Sequence, residues 1–113
     1  MCNKDVLSII TSKVVIAAKE SLGDKLDKVI LYGSYARGDS NDESDIDIMV
    51  LADIPAEEAC QSDNRLYKLA NDLGFEYDVL VSLFIKDCET FYKYLPAEPF
   101  YQVVLQEGVQ LSA

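Results

Sequence analysis

Asp45 and Asp47 stand two residues apart in the string Ser44-Asp45-Ile46-Asp47-Ile48-Met49-Val50. Strict polar and apolar alternation of this kind is the pattern of a strand. Both carboxylates then point to one face, with attachment points roughly 6.6 Å apart. At that separation, with an effective dielectric of about 20, two ionised carboxylates repel by about 2.5 kcal/mol. A divalent cation offsets this naturally. Mg²⁺ takes one or two carboxylates and fills its remaining octahedral positions with water and substrate phosphate oxygens. A bare D-x-D also occurs on half-solvated edge strands that bind nothing, so its neighbours decide what it means.

Two neighbours bear on it. Asp78 falls within Phe75 to Ser82, a run that alternates like a second strand, where an unpaired carboxylate is costly. Strand pairing could bring it beside Asp45 and Asp47, and Glu76, on the same strand face, competes for that place. The other neighbour is Gly33-Ser34, at the end of an apolar run. Glycine lets a phosphate approach the backbone, and a helix start and a serine hydroxyl supply donors to it. A plain glycine turn would read the same way.

Two look-alikes fail on single residues. Gly33 to Ser40 has P-loop spacing, but Asp39 stands where that loop needs lysine. Asp39, Asn41, Glu43 and Asp45 alternate like a calcium loop, but Ser44 takes the place of its glycine and Val50 that of its bidentate glutamate. The chain has no histidine, so catalysis would have to run on carboxylates, hydroxyls and hard metal ions.

The elements that must position these groups can be read from periodicity. Asp5 to Leu22 predicts a helix stopped at Gly23, and Lys28 to Tyr32 a buried strand. Asp45 to Leu51 predicts the second strand. A helix opens at Asp53 and Pro55, weakens through the polar Gln61 to Asn64, and closes at Gly74. Phe75 to Ser82 predicts the third strand, with Phe75, Tyr77, Val79 and Val81 on one face. Short helices near Ile85 to Tyr94 and Glu98 to Glu107 follow, then an extended Val109 to Leu111. The aromatic cluster Phe91, Tyr92, Tyr94, Phe100 and Tyr101 reads as core, with an interface as the alternative.

Composition narrows the classes. At 113 residues and 50% hydrophobic, the chain is expected to form one domain, residues 1–113, around a single core. Twenty acids against ten bases give a formal charge of -10, which disfavours general nucleic-acid binding. Cys2, Cys60 and Cys88 lack metal-site spacing and read as reduced thiols. The apolar runs are too short to span a membrane and no signal pattern opens the sequence, so the expected location is cytoplasmic.

Gly33-Ser34-Tyr35-Ala36-Arg37-Gly38, then Ser44-Asp45-Ile46-Asp47-Ile48-Met49-Val50, resembles the minimal nucleotidyltransferases of the DNA polymerase β superfamily. The resemblance is to the MNT antitoxin type partnered with HEPN-domain toxins. It extends to the preceding helix, the Phe75 to Ser82 segment and Glu107-Gly108. It implies an α+β fold: a small mixed β-sheet of about three to four strands flanked by helices, polymerase β-like. It implies that Gly33 and Ser34 bind the triphosphate, that Asp45 and Asp47 ligate metal, and that Asp78 is the third, catalytic and metal-binding carboxylate. Arg37 matches the arginine of the family string and would touch phosphate. The implied cofactor is Mg²⁺, as two ions, with Mn²⁺ an alternative, and ATP is the implied substrate. The activity implied is metal-dependent transfer of AMP to a hydroxyl acceptor, a tyrosine of a partner HEPN toxin. The alternatives are an antitoxin that neutralises a HEPN ribonuclease by binding alone, and a small-molecule nucleotidyltransferase.

Overall fold

A computed structural model describes residues 3–41, 44–61 and 65–112. The chain opens with α1 (Lys4–Leu22), capped by the Asn3 side chain, which accepts from the Val6 amide at 2.9 Å. Ile10, Val14 and Ala18, at helical spacing, form its buried stripe. Gly23, at φ +54°, turns the chain away while its amide returns to Lys19 O.

Among the described residues four strands follow: β1 (Leu26–Tyr32), β2 (Ile46–Ala52), β3 (Val81–Asp87) and β4 (Val109–Ser112). Their order in the sheet is β3-β2-β1-β4, with β1 antiparallel to both β2 and β4, and β2 parallel to β3. A one-turn helix α2 (Ser34–Arg37) lies between β1 and β2, and α3 (Ala56–Ala59) and α4 (Arg65–Tyr77) between β2 and β3. A parallel pair needs a crossover of this kind. α5 (Cys88–Tyr94) and α6 (Pro99–Glu107) separate β3 from β4.

Strand alternation divides the apolar residues between two cores. Val29, Leu31, Ile46, Ile48, Val50 and Ile85 pack with Ile10 and Val14 of α1 and with Leu66, Ala70 and Leu73 of α4. Ile30, Met49 and Leu51 face the other way, against Phe91 of α5 and Val104 of α6. β2 is buried almost throughout because both its faces are covered and both its edges are paired. Among the described residues, no helix is long and apolar enough to cross a membrane.

The third strand differs from the expected Phe75 to Ser82. Phe75, Glu76 and Tyr77 complete α4, and the strand begins at Val81. The reason lies in the helix end. Asp78 takes the left-handed conformation (φ +54°), and the Val79 amide reaches back to Gly74 O at 3.0 Å, the geometry of a Schellman cap. Gly74 therefore does not end the helix. A Cβ there would meet Val79 O, so its role is to let the exiting chain pass close by. Phe75, expected on an inward strand face, is 94% exposed. The helix expected from Pro55 to Gly74 is two helices, and part of the polar stretch between them, residues 62–64, lies outside the described residues. The aromatic cluster divides: Phe91 is wholly buried and Tyr101 packs against it, while Tyr92, Tyr94 and Phe100 are exposed.

Candidate functional site

Asp47, second residue of β2, lies across from Tyr32 of β1 on one side and Ser82 of β3 on the other. The row Tyr32, Asp47, Ser82 crosses the sheet on the face that carries Met49. Asp47 is half-buried and Asp45, just before the strand, is exposed. Ser82 is exposed as well. The α5 and α6 layer covers Met49 and Ile30, one row further along, and leaves the Asp47 row partly open.

Gly33 joins this row to the loop beyond β1. It sits at φ +77° and ψ −156°, a region in which side chains are strained. A Cβ at this position would also run into the Asp47 carboxylate. Glycine is thus favoured by conformation, and a larger residue would also have to displace the tip of the Asp47 side chain. The chain then winds into α2, where the Ala36 and Arg37 amides both bond Gly33 O at 3.1 Å. Gly38, left-handed at φ +85°, ends the turn with its amide on Ser34 O at 2.9 Å. The Ser34 side chain is thereby held beside a compact turn whose first residue touches Asp47.

Burial pushes the Asp47 carboxyl up, and the Asp45 charge adds to the effect, while Arg37 opposes both. Arg37 is shared between two other acids, with Nε 3.2 Å from Asp39 Oδ2 and a terminal nitrogen 3.7 Å from Glu107 Oε2. Both ion pairs lie near the surface and leave the guanidinium able to turn toward an incoming anion. The Tyr32 hydroxyl is pushed up to about 12, by burial and by the Asp47 charge, and stays protonated.

Gly33, Ser34, Arg37, Asp45 and Asp47 therefore come together. Asp78 does not join them: it caps α4, three residues before β3 begins. Glu76, its competitor, lies exposed on α4. Among the described residues, no group of three or more His, Cys, Asp or Glu side chains is placed to hold a metal ion. The group level with Asp47 on the neighbouring strand is the Ser82 hydroxyl, which the expected Phe75 to Ser82 strand puts at its far end. Its signal was the alternation Val81, Leu83, Ile85 against Ser82, Phe84, Lys86. Two carboxylates under mutual repulsion, beside an open face, still fit a hard cation that completes its shell with water and phosphate oxygens.

A family model described as nucleotidyltransferase domain matches residues 13–107. The chain belongs to the nucleotidyltransferase domain family. This nucleotidyltransferase domain is similar to two Methanocaldococcus jannaschii proteins named provisionally as protein adenylyltransferases. One, MJ0604, is 34% identical over 94 residues, covering 83% of this chain and 86% of the relative. The other, MJ0141, is 44% identical over 62 residues, 54% of this chain and 60% of the relative, so the match spans less than two thirds of its length. Among solved structures, a toxin–antitoxin with AMP-PNP superposes with a TM-score of 0.55 at 30% identity, covering 89% of this chain and 72% of that one. The complex of a tri-AMPylated Shewanella oneidensis HEPN toxin with MNT antitoxin gives 0.51 at 29% identity, covering 94% and 71%. The expected α+β mixed sheet is present, and the nucleotidyltransferase domain has the polymerase β-like fold of these structures.

Proposed function

We propose that this nucleotidyltransferase domain moves AMP from ATP onto a protein hydroxyl, a tyrosine of a partner HEPN toxin, in the cytoplasm. The observation that carries the reading is Gly33, whose backbone lies against the Asp47 carboxylate and so puts a phosphate-approach loop next to the D-x-D pair. Support for the acceptor class comes from the relatives: the Methanocaldococcus proteins named provisionally as protein adenylyltransferases, and the AMPylated toxin in complex with MNT antitoxin.

In this reading Asp45 and Asp47 would hold Mg²⁺, or Mn²⁺. When bound, the cation supplies neutralising charge to the phosphates and acidity to the attacking hydroxyl. The backbone at Gly33 and the Ser34 hydroxyl receive the triphosphate oxygens, and Arg37 swings from its surface acids onto them. Positioning and charge complementarity supply most of the rate. Asp78 is the proton acceptor that the family resemblance implies, since no histidine exists to serve, although it caps α4 rather than joining the Asp47 row.

The test is incubation with Mg²⁺, α-labelled ATP and the product of the adjacent gene. Label is expected on the partner, and to disappear with Asp45→Asn or Asp47→Asn. Unlabelled partner, or label undiminished in both variants, overturns the reading. Binding that protects against the toxin and survives both substitutions would point instead to neutralisation by contact, which the net charge of -10 favours against a basic ribonuclease. Asp78→Asn decides the third carboxylate: a fall of less than about tenfold removes it from the mechanism.

A further inference from the structure

Beyond the Asp47 row, the open face carries an aromatic feature that the phosphate chemistry does not use. Phe84 is level with Met49 on β3, one step along from Ser82 on the same side. Phe100, from α6, comes over it with ring centroids 6.3 Å apart, and also stands edge-on to Tyr32 at 5.7 Å. Both rings are 39% exposed although each lies on an otherwise packed layer. Phe84 is thus held in place on one side and bare on the other.

The place of these rings relative to the phosphates gives them a use. Gly33 and Ser34 follow β1, which flanks β2 on one side, and β3 flanks it on the other. If the triphosphate extends over the Gly33 loop, pyrophosphate departs on the β1 side. Attacking and leaving oxygens of phosphoryl transfer lie roughly in line, so the acceptor must arrive from the β3 side. Among the described residues, Ser82 stands exposed level with Asp47 on that side and the Phe84 ring one step beyond it, with Leu80 exposed one step before.

We propose that Phe84 and Phe100, with Ser82 beside them, form the acceptor subsite, the surface against which the ring of the tyrosine named in the transferase reading is laid. The inference rests on the transferase reading above. A flat ring laid against offset or tilted aromatics gains specific contact that an aliphatic hydroxyl side chain cannot match. The phenol oxygen is then directed along the strand toward Asp47, past Ser82, which can donate to it. The new bond joins this oxygen to the α-phosphorus. The bond from that phosphorus to the bridging oxygen breaks, its electron pair leaves with pyrophosphate, and the phenolic proton passes to Asp78, the acceptor of the transferase reading.

The experiment uses the acceptor protein of the labelled-ATP assay, locates the modified residue by mass spectrometry, and compares wild type with Phe84→Leu and Phe100→Leu. Leucine keeps apolar volume and removes the ring, and thermal melting verifies that both variants fold. Label is expected on tyrosine, with kcat/KM for the acceptor lowered by about three- to tenfold in each variant, in line with the worth of an aromatic pair. The KM for ATP is expected to rise less. Modification of serine, threonine or lysine overturns the proposal. So does an unchanged acceptor kcat/KM, or a rise in the KM for ATP that exceeds the acceptor effect, which would seat the adenine on the rings. Absence of transfer by wild type is a different failure: it overturns the transferase reading and the subsite with it, whereas transfer with insensitive leucine variants overturns the subsite alone.

Discussion

Under α1 and α4 the sheet is sealed, with Ile46, Ile48, Val50 and Val81 packed against Ile10, Val14, Leu66 and Ala70. Across the same strands, α5 and α6 cover Ile30, Met49 and Leu51, and Phe100 of α6 meets Tyr32, but Asp47 is left half-buried and Ser82 exposed. The two faces differ by one residue of phase. Ile46 and Ile48 enter the closed core, and Asp45 and Asp47 look out from the open one. Alternation thus lets a single strand carry stability on one side and a strained pair of charges on the other. The lesson is that substitutions on adjacent residues of β2 should have effects of unlike kind.

The largest separation is expected at Asp47. Asp47→Asn should lower transfer by on the order of 10³-fold, the worth of losing several kcal/mol of charge stabilisation, while leaving a cooperative fold. A variant that keeps wild-type rates would break the comparison at its strongest point. The converse is Ile48→Ala, which should cost about 2–5 kcal/mol in urea unfolding yet leave the folded fraction active. Phe91→Ala, on the thinner side, should cost a similar amount, about 3–5 kcal/mol, because that ring is wholly buried.

Gly33→Ala joins the faces' two properties in one site. The positive φ makes it destabilising by about 1–2 kcal/mol, and the displaced Asp47 carboxylate should weaken ATP binding at the same time. Urea midpoints and nucleotide titration check the two effects separately; a loss of stability with ATP binding intact would sever the Gly33 loop from the carboxylate pair.

A smaller effect concerns pH. Burial and Asp45 hold the folded Asp47 carboxyl above its ordinary value. In chelator, its contribution is therefore fully present below the unfolded carboxylate range and is lost as pH rises through the folded value. Asp47→Asn should melt higher than wild type near pH 7, and the difference should vanish toward about pH 3. Equal melting at both ends would show that the open face carries no strain. Smallest is Asp87, the α5 cap. Burial pushes it up, but Thr90, whose amide donates to it at 2.9 Å, and Lys86 outweigh that and hold it below the ordinary value. Its stabilisation is present at neutral pH and fades as pH falls through its folded value, so Asp87→Ala should cost about 1 kcal/mol near pH 7 and less in acid.

The strands with one repeating side were readable from sequence. β1 and β2 announce themselves by apolar runs and by the Asp-Ile alternation, and Gly33-Ser34 marks the turn between them. The region from Gly74 to Ser82 was not readable by the same rule. There Phe75, Tyr77, Val79 and Val81 alternate like a strand, yet the first two are helical, because Asp78 supplies the left-handed residue that glycine usually provides. Tertiary packing of Leu66, Ala70 and Leu73 outweighed the local period. That displacement moved Asp78 off the strand and put Ser82 level with Asp47. The half of the candidate site from Gly33 to Asp47 was local in sequence, and so legible; the β3 half depended on a parallel register that no short motif encodes.

The parallel joint between β2 and β3 has a temporal side. β1 and β2 form a hairpin-like unit, whose contacts are local, and so Gly33 meets Asp47 as soon as that unit closes. β3 can dock only after α3 and α4 have crossed the sheet, a closure of higher contact order. A chain emerging from synthesis would close the Gly33 loop on Asp47 before Ser82 came level with them, and the candidate site would stay incomplete until folding was finished.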